Sequence, residues 1–427
     1  MTEIATDDAA APAEAAGDAV QPTLQAATNW QRTLWAMVGI QFIMTMSFSF
    51  LTPIMPLFLP VLGVHTEAGI DLWAGILSGS TSFVAAFASP IWGRLADQHG
   101  RKLMLLRSSC AIAVFTAVMG LSQTVWQFFA ARALMGVFAG FSSTAMALVA
   151  SQVPEGRLGY SLGLLSTGQL VGSLVGPVIG GVLADLTDSY RIPFYCTSAV
   201  CFIALAMVWL GVREQFVRPA AGSRKGSAWS NMRRLIGAAG VLPLFCVLLM
   251  AQFSTRAVQP VVTLFVEELT GPRSDLATLG GLAFSVTGLA GMVAVPLLGR
   301  RSDQIGYRRV LLICLLGATL TSLPQGFAGS YWTFTAERFG VGLFIGGILP
   351  AANALIGRMV ARSERGLIYG MSASAMFIGN SLGPLTGGAV AASFGLRWVF
   401  VVTAGLLLVN LVWVYFNVRE YRERDGE

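Results

Sequence analysis

Apolar runs of roughly 20 residues alternate with short polar links along almost the whole chain, near 34–59, 72–92, 104–123, 126–149, 159–183 and 194–212, and again near 236–265, 278–298, 310–328, 331–357, 366–391 and 397–417. A helix rises 1.5 Å per residue, so a run of about 20 crosses a hydrocarbon core of about 30 Å. No period-two alternation is present, which argues against a barrel, and lipid offers no partner to an unpaired backbone group. The pattern predicts an all-α integral membrane protein of twelve transmembrane helices. Composition agrees: 55% of the 427 residues are hydrophobic and 12% charged, where a soluble domain carries about a quarter charged.

Position explains the net charge of +6. The basic residues cluster in links between apolar runs. If the N-terminus faces the cytoplasm, 22 of the 28 Lys and Arg residues lie on that side, including Arg107. Arg191, Arg273 and Arg397 lie opposite, and Arg132, Arg256 and Arg338 fall inside spans. The positive-inside rule then predicts cytoplasmic termini and gives no reason to expect a nucleic-acid partner. Residues 1–28 carry five acidic residues and no Lys or Arg, which predicts a disordered tail rather than a secretory signal. Cys110, Cys196, Cys201, Cys246 and Cys314 sit in apolar runs without ligand spacing, and only His65 and His99 are available besides. No metal site or cofactor is expected, and the thiols read as buried and inert.

The polar link GRLADQHGRK (93–102) is written again as GRRSDQIGYRR (299–309). At an offset of 206, Pro90, Gly93, Arg94, Asp97, Gln98 and Gly100 meet Pro296, Gly299, Arg300, Asp303, Gln304 and Gly306, and Arg132 and Gly136 meet Arg338 and Gly342. At 207, GSLVGPVIGG (172–181) meets GNSLGPLTGG (379–388). The chain is therefore expected to hold two parallel six-helix repeats, 29–212 and 236–418, joined by a linker at 213–235 and followed by a short tail, 419–427.

These residues resemble the major facilitator superfamily, and within it drug exporters of the proton-antiporter type. GRLADQHGRKLMLL is similar to that family's loop motif between helices 2 and 3. Arg132 with Gly136 and Gly140 resembles its helix-4 arginine motif, and GSLVGPVIGG resembles its antiporter helix-5 motif. The resemblance covers about residues 30–418. It implies the major facilitator fold, small-molecule and proton partners, a lipid bilayer of the cytoplasmic membrane, and a monomer as the functional unit.

Each constellation also has a physical reading. Gly93 and Gly100 permit a tight turn. Asp97 lies near Arg94, Arg101 and Lys102, and with the duplicated Asp303 it forms a candidate gate latch; a plain topology signal is the simpler reading. Gln98 stands where the family usually carries a basic residue. Gly168, Gly172, Gly176 and Gly180 share one helix face beside Pro177, and Gly379, Gly383 and Gly387 beside Pro384 repeat the device. Close helix packing is expected there, with a rocking interface between halves as the functional extension. Gln41, Thr45, Ser49 and Thr52 form a polar stripe in the first span; Gln252, Thr255, Arg256 and Gln259 form its counterpart. Both are expected to face a water-accessible substrate cavity, with interhelical hydrogen bonding as the alternative. Arg132 is a candidate for proton coupling by resemblance, or else a structural arginine. The first span has no acid, so Glu337 and Asp71 complete the coupling candidates. A facilitator or exporter of an endogenous metabolite without clear coupling stays open. A membrane enzyme or receptor does not fit, because no nucleophile–base pair lies at membrane depth and the termini are short.

Overall fold

The computed structural model describes residues 24–154, 157–214, 241–359 and 365–418. The tail 1–28, save its last residues, the linker 213–235 beyond Glu214 and the tail 419–427 lie outside them, as do the side chains of Arg94 and Asp97. The first repeat comprises α1 (Leu24–Phe50), α2 (Ile54–Phe58), α3 (Glu67–His99), α4 (Arg101–Leu121), α5 (Val125–Val137), α6 (Phe141–Gln152), α7 (Leu158–Leu186) and α8 (Ile192–Gly211). The second comprises α9 (Val241–Ala257), α10 (Val262–Thr270), α11 (Leu276–Ile305), α12 (Tyr307–Ser322), α13 (Tyr331–Met359), α14 (Arg365–Phe394) and α15 (Leu396–Asn417). Among the described residues, eleven segments are long and apolar enough to cross a membrane. The twelfth, α14, has the length, but Asn380 and its glycines dilute its hydropathy. Several helices outrun their apolar stretches, because polar turns continue a helix where water is available.

Breaks follow local chemistry. Pro53 separates α1 from α2, and its repeat mate Pro260 falls in the gap between α9 and α10, since proline removes a backbone donor. Gly100 and Gly306, at φ 93° and 97°, make the two loop-motif turns in a conformation that favours glycine. The fourth span also breaks, at Phe138–Gly140, with Gly140 at φ 117°. Arg107 repairs that break. Its Nη2 donates to the Phe138 and Ala139 carbonyls at 3.2 Å each, and its guanidinium lies 3.5 Å from the Trp92 ring centroid. Arg107 thus stands about 9 Å inside its helix by rise, rather than in the polar link where the charge pattern placed it. The charge asymmetry survives its loss.

The repeat is visible in packing. Phe58, Phe128 and Phe194 form an aromatic cluster under Arg191; Phe265, Phe334 and Phe400 form its double under Arg397. Both arginines donate to a carbonyl at the same place in the repeat, Gly120 and Gly326.

These clusters belong to one hydrophobic core at the end opposite the loop motif, here the far end, and that core draws residues from both repeats. At the loop-motif end two separate cores exist, one built from each repeat. The far end is closed. Among the described residues the loop-motif end is not, and Cβ atoms added at Gly93, Gly299, Gly159 or Gly163 would meet nothing within 4 Å.

Candidate functional site: a central cavity between the repeats

Two crossings close the far end. Where α3 meets α14, a Cβ on Gly75 would lie 2.5 Å from the Pro384 carbonyl, and one on Gly388 would lie 2.6 Å from the Asp71 carbonyl. Where α7 meets α11, Gly281 faces the Pro177 carbonyl and Gly181 faces that of Ala277. These are the same contacts under the repeat offsets. Only glycine lets helix backbones approach so closely. Past them, Gly75 and Gly79 continue at four-residue steps into exposed Phe83, Phe87 and Ile91; Gly281 and Ser285 continue into exposed Leu289, Val293 and Leu297.

The glycine stripes themselves pack inside each repeat. Gly168, Gly172, Gly176 and Gly180 lie against Val38, Phe42, Met46 and Phe50 of α1; Gly379, Gly383 and Gly387 lie against Leu249, Phe253 and Ala257 of α9. This corrects the expectation of a rocking surface on that face. Successive helix positions turn by about 100°, so Pro177, Gly181 and Asp185 present the neighbouring face, and that face meets the other repeat.

The same packing divides the polar stripe. Thr45 and Ser49 sit with Cβ atoms against Gly172 and Gly176, and Gln252 and Arg256 sit likewise against Gly379 and Gly383. Gln41 is buried and donates to Ser142 Oγ at 2.9 Å and Thr45 Oγ1 at 3.4 Å, while Thr255 Oγ1 donates to the Ala251 carbonyl. Interhelical and local hydrogen bonding therefore describe Gln41 and Thr255. Thr52, Arg256 and Gln259 do reach a cavity of about 120 Å³ between the repeats, and so does Arg132. Its other walls are Phe48, Leu51 and Met55 with Ser78, Thr81, Ser82 and Asn380. The serine and threonine cluster at 78–82, polar within an apolar run, was the available signal for α3's share. Asn380 was hidden inside a motif read for its glycines.

Charge in this cavity is one-sided. Arg256 donates from Nε to Asn380 Oδ1 at 3.1 Å and from Nη1 to Gln259 Oε1 at 3.0 Å. Arg132 is buried, donates from Nε to the Leu77 carbonyl at 2.8 Å, and forms part of the cavity wall. Among the described residues, no Asp or Glu lines the cavity. Its neutral acceptors leave the buried Arg132 guanidinium and the exposed Arg256 guanidinium without a carboxylate among the described residues, and a cation so placed favours an incoming acceptor or anion.

The coupling candidates do not converge. Asp71 is buried at the α3–α14 crossing; Glu337 lies in α13 with Oε2 buried and without a hydrogen-bond partner among the described residues. Neither lines the cavity. At the loop motif, the charged groups whose hydrogen bonds are described bond within their own repeats. Glu214 accepts from the backbone N–H groups of Arg101 and Lys102 at 2.8 and 2.7 Å; Arg101 donates to the Ala147 carbonyl, Lys102 to that of Trp209. In the second copy Asp303 accepts from Tyr307, and Arg308 donates to the Tyr415 and Val418 carbonyls.

Known proteins agree with this architecture. The family model described as Major Facilitator Superfamily matches residues 37–272 and 244–427. The multidrug resistance protein MdtG of Salmonella typhimurium (strain LT2) is 37% identical over 394 residues, covering 92% of this chain and 97% of that relative. That of Dickeya zeae is 38% identical over 398 residues, covering 93% and 97%. Among solved structures, a bacterial homolog of the human lysosomal transporter Spinster, in an inward-facing and occupied conformation, superposes with a TM-score of 0.75 at 16% identity over 94% of this chain and 98% of that one. A D-xylose–proton symporter gives 0.75 at 14% identity over 91% and 98%. Two six-helix repeats around a central cavity, a duplicated loop motif and these matches lead to one conclusion: the chain belongs to the Major Facilitator Superfamily of membrane transporters.

Proposed function

We propose that the chain exports small, partly apolar organic compounds, drugs among them, across the cytoplasmic membrane by alternating access, coupled to proton influx. The single observation that carries alternating access is the hydrophobic core, continuous between repeats at the far end and divided in two at the loop-motif end. The exposed ridges Phe83–Phe87–Ile91 and Leu289–Val293–Leu297 are apolar faces that closure of the loop-motif end would cover. The positive-inside pattern puts that end and both termini in the cytoplasm, so this state faces inward. In the opposite state, Gly93, Arg94, Asp97, Gly100, Arg101, Lys102 and Asp303 serve as the latch. The relatives' name, multidrug resistance protein, supports multidrug export, as does a lining that mixes Phe48, Leu51 and Met55 with amides and hydroxyls. The monomer encloses the whole cavity and serves as the transport unit.

Coupling is tested in inverted vesicles under an imposed pH gradient. Substrate-evoked dissipation of the gradient is expected and directs attention to Arg132, Glu337 and Asp71. Substrate movement without proton movement would instead establish a facilitator, the reading that the acid-free lining favours.

Charge preference gives a second test. Arg256→Ala is expected to lower export of anionic compounds about tenfold, the value of one charge-assisted hydrogen bond, while neutral compounds keep their rate. Equal losses for both classes would refute an anion-directed role for Arg256.

A further inference from the structure

The far end carries one inter-repeat contact that the repeat does not duplicate. Asp185, one residue before the end of α7, reaches the start of α11 in the other repeat. Its Oδ1 accepts from the Ala277 N–H at 3.3 Å; its Oδ2 accepts from the Thr278 N–H at 2.7 Å and from Thr278 Oγ1 at 2.5 Å. Ala277 and Thr278 are the second and third residues of α11, and their N–H groups are the donors that a helix's own N-cap side chain normally satisfies. The N-cap residue here is Asp275, a favoured type, yet its side chain makes no cap bond. Arg273 holds it away, donating from Nε to Oδ1 at 2.9 Å and from Nη2 to Oδ2 at 3.1 Å. So a carboxylate from the opposite repeat occupies the place of the helix's own cap. At the other crossing, the repeat mate of Asp185 is Ala392, which has no acceptor side chain.

We propose that Asp185 and Asp275 compete for the N-terminus of α11, and that opening of the far gate is an exchange of caps. With the gate closed, Asp185 satisfies the Ala277 and Thr278 donors across the repeats, and Asp275 rests on Arg273. When the repeats part, Asp185 leaves with α7. Asp275 then leaves Arg273 and takes the same donors, so no orphan N–H groups remain at the helix end. The exchange adds a positioning pair to the alternating-access reading, on which it rests. It also gives the α7–α11 crossing a carboxylate cap that the α3–α14 crossing lacks at the corresponding Ala392.

The test reads gate populations directly, without substrate. Spin labels are placed at the exposed far-end positions Trp126 and Trp332, which are repeat mates on opposite repeats, in the full chain with its five cysteines replaced, reconstituted in lipid nanodiscs. Distances come from double electron–electron resonance. Asp185→Ala is expected to lower the closed-to-open ratio at least tenfold, because it removes the acceptor of all three bonds and one charge-assisted bond alone has about that effect. Asp185→Asn falls between it and the parent, and Asp185→Glu restores most of the closed population. Asp275→Ala is expected to shift the ratio the opposite way, because the open state loses its substitute cap. Arg273→Ala frees Asp275 and moves the ratio toward open. Should Asp185→Ala not fold, the exposed pair Arg273 and Asp275 still decides the matter by the opposite signs of their effects.

An unchanged ratio in Asp185→Ala overturns the proposal, and so do shifts of one sign in Asp185→Ala and Asp275→Ala, which would mean plain loss of structure. A vesicle assay without transport beside the expected opposite shifts would overturn the export reading and leave the cap exchange standing. A far end that stays closed in every variant would overturn both the exchange and alternating access.

Discussion

Gly75→Val is expected to reduce transport by about 30-fold while the protein remains folded and abundant. A Cβ at Gly75 would lie 2.5 Å from the Pro384 carbonyl and 2.9 Å from the Gly388 Cα, both on the opposing repeat. Backbone cannot swing aside as a side-chain tip does. Overpacking of this kind costs about 1–3 kcal/mol, and here the cost falls only on the state with the far end closed. A penalty of about 2 kcal/mol lowers the population of that state about 30-fold. Gly281→Val, against the Pro177 carbonyl, should behave as its twin. Gly176→Val is the contrast, since its Cβ would meet the Met46 carbonyl at 2.5 Å and the Ser49 Cβ at 2.8 Å inside one repeat. That contact persists in every state, so abundance and thermal stability should fall together with transport. Transport rates per folded molecule, with melting temperatures, separate the two cases. A wild-type rate in Gly75→Val would show that the α3–α14 crossing does not close during the cycle.

Arg132→Ala is expected to lower transport about 100-fold with little change in melting temperature. Its Nε holds the Leu77 carbonyl at 2.8 Å on α3, and the residue forms part of the cavity wall, where it can offer a second bond to an incoming acceptor. Hydrogen bonds to charged groups contribute about 1.5–3 kcal/mol each, and two such bonds amount to roughly a hundredfold or more. Arg132→Lys should recover little. An ammonium is a compact point charge, whereas the planar fork holds one acceptor while offering donors to another. Full transport in Arg132→Lys would assign only a charge to this position. Full transport in Arg132→Ala would remove it from the mechanism.

Much of this molecule is legible in one dimension. Helix length against membrane thickness, and the repeated landmarks at 206 and 207, predicted two six-helix repeats, because lipid admits few alternatives to helix. Arg132 and Arg256, which line the cavity, were legible as candidates for the same reason: charge at membrane depth is costly without a task. The polar stripes were only partly legible. Thr45 and Thr52 have the same chemistry and the same helical spacing, yet Thr45 packs on Gly172 and Thr52 lines the cavity. Spacing along one helix identifies a face, and which neighbour covers each turn of that face depends on where the helices cross.

Asp185 marks the limit most clearly. In the sequence it is an acidic residue near a helix end, where water is the ordinary partner. Its role depends on the chain returning Ala277, 92 positions later, to within 3.3 Å of it, and on Arg273 removing Asp275 from competition. The sequence by itself determined the number of spans, the repeat, the cations within the spans and the small residues that let helices approach. These follow from the cost of polar groups in hydrocarbon and from the period of the helix, both local quantities. Only the tertiary structure decided which glycine face joins helices within a repeat and which joins the repeats, which end is closed, and whose carboxylate caps α11. Those outcomes depend on distances between segments far apart in the chain, and helix spacing carries no information about them.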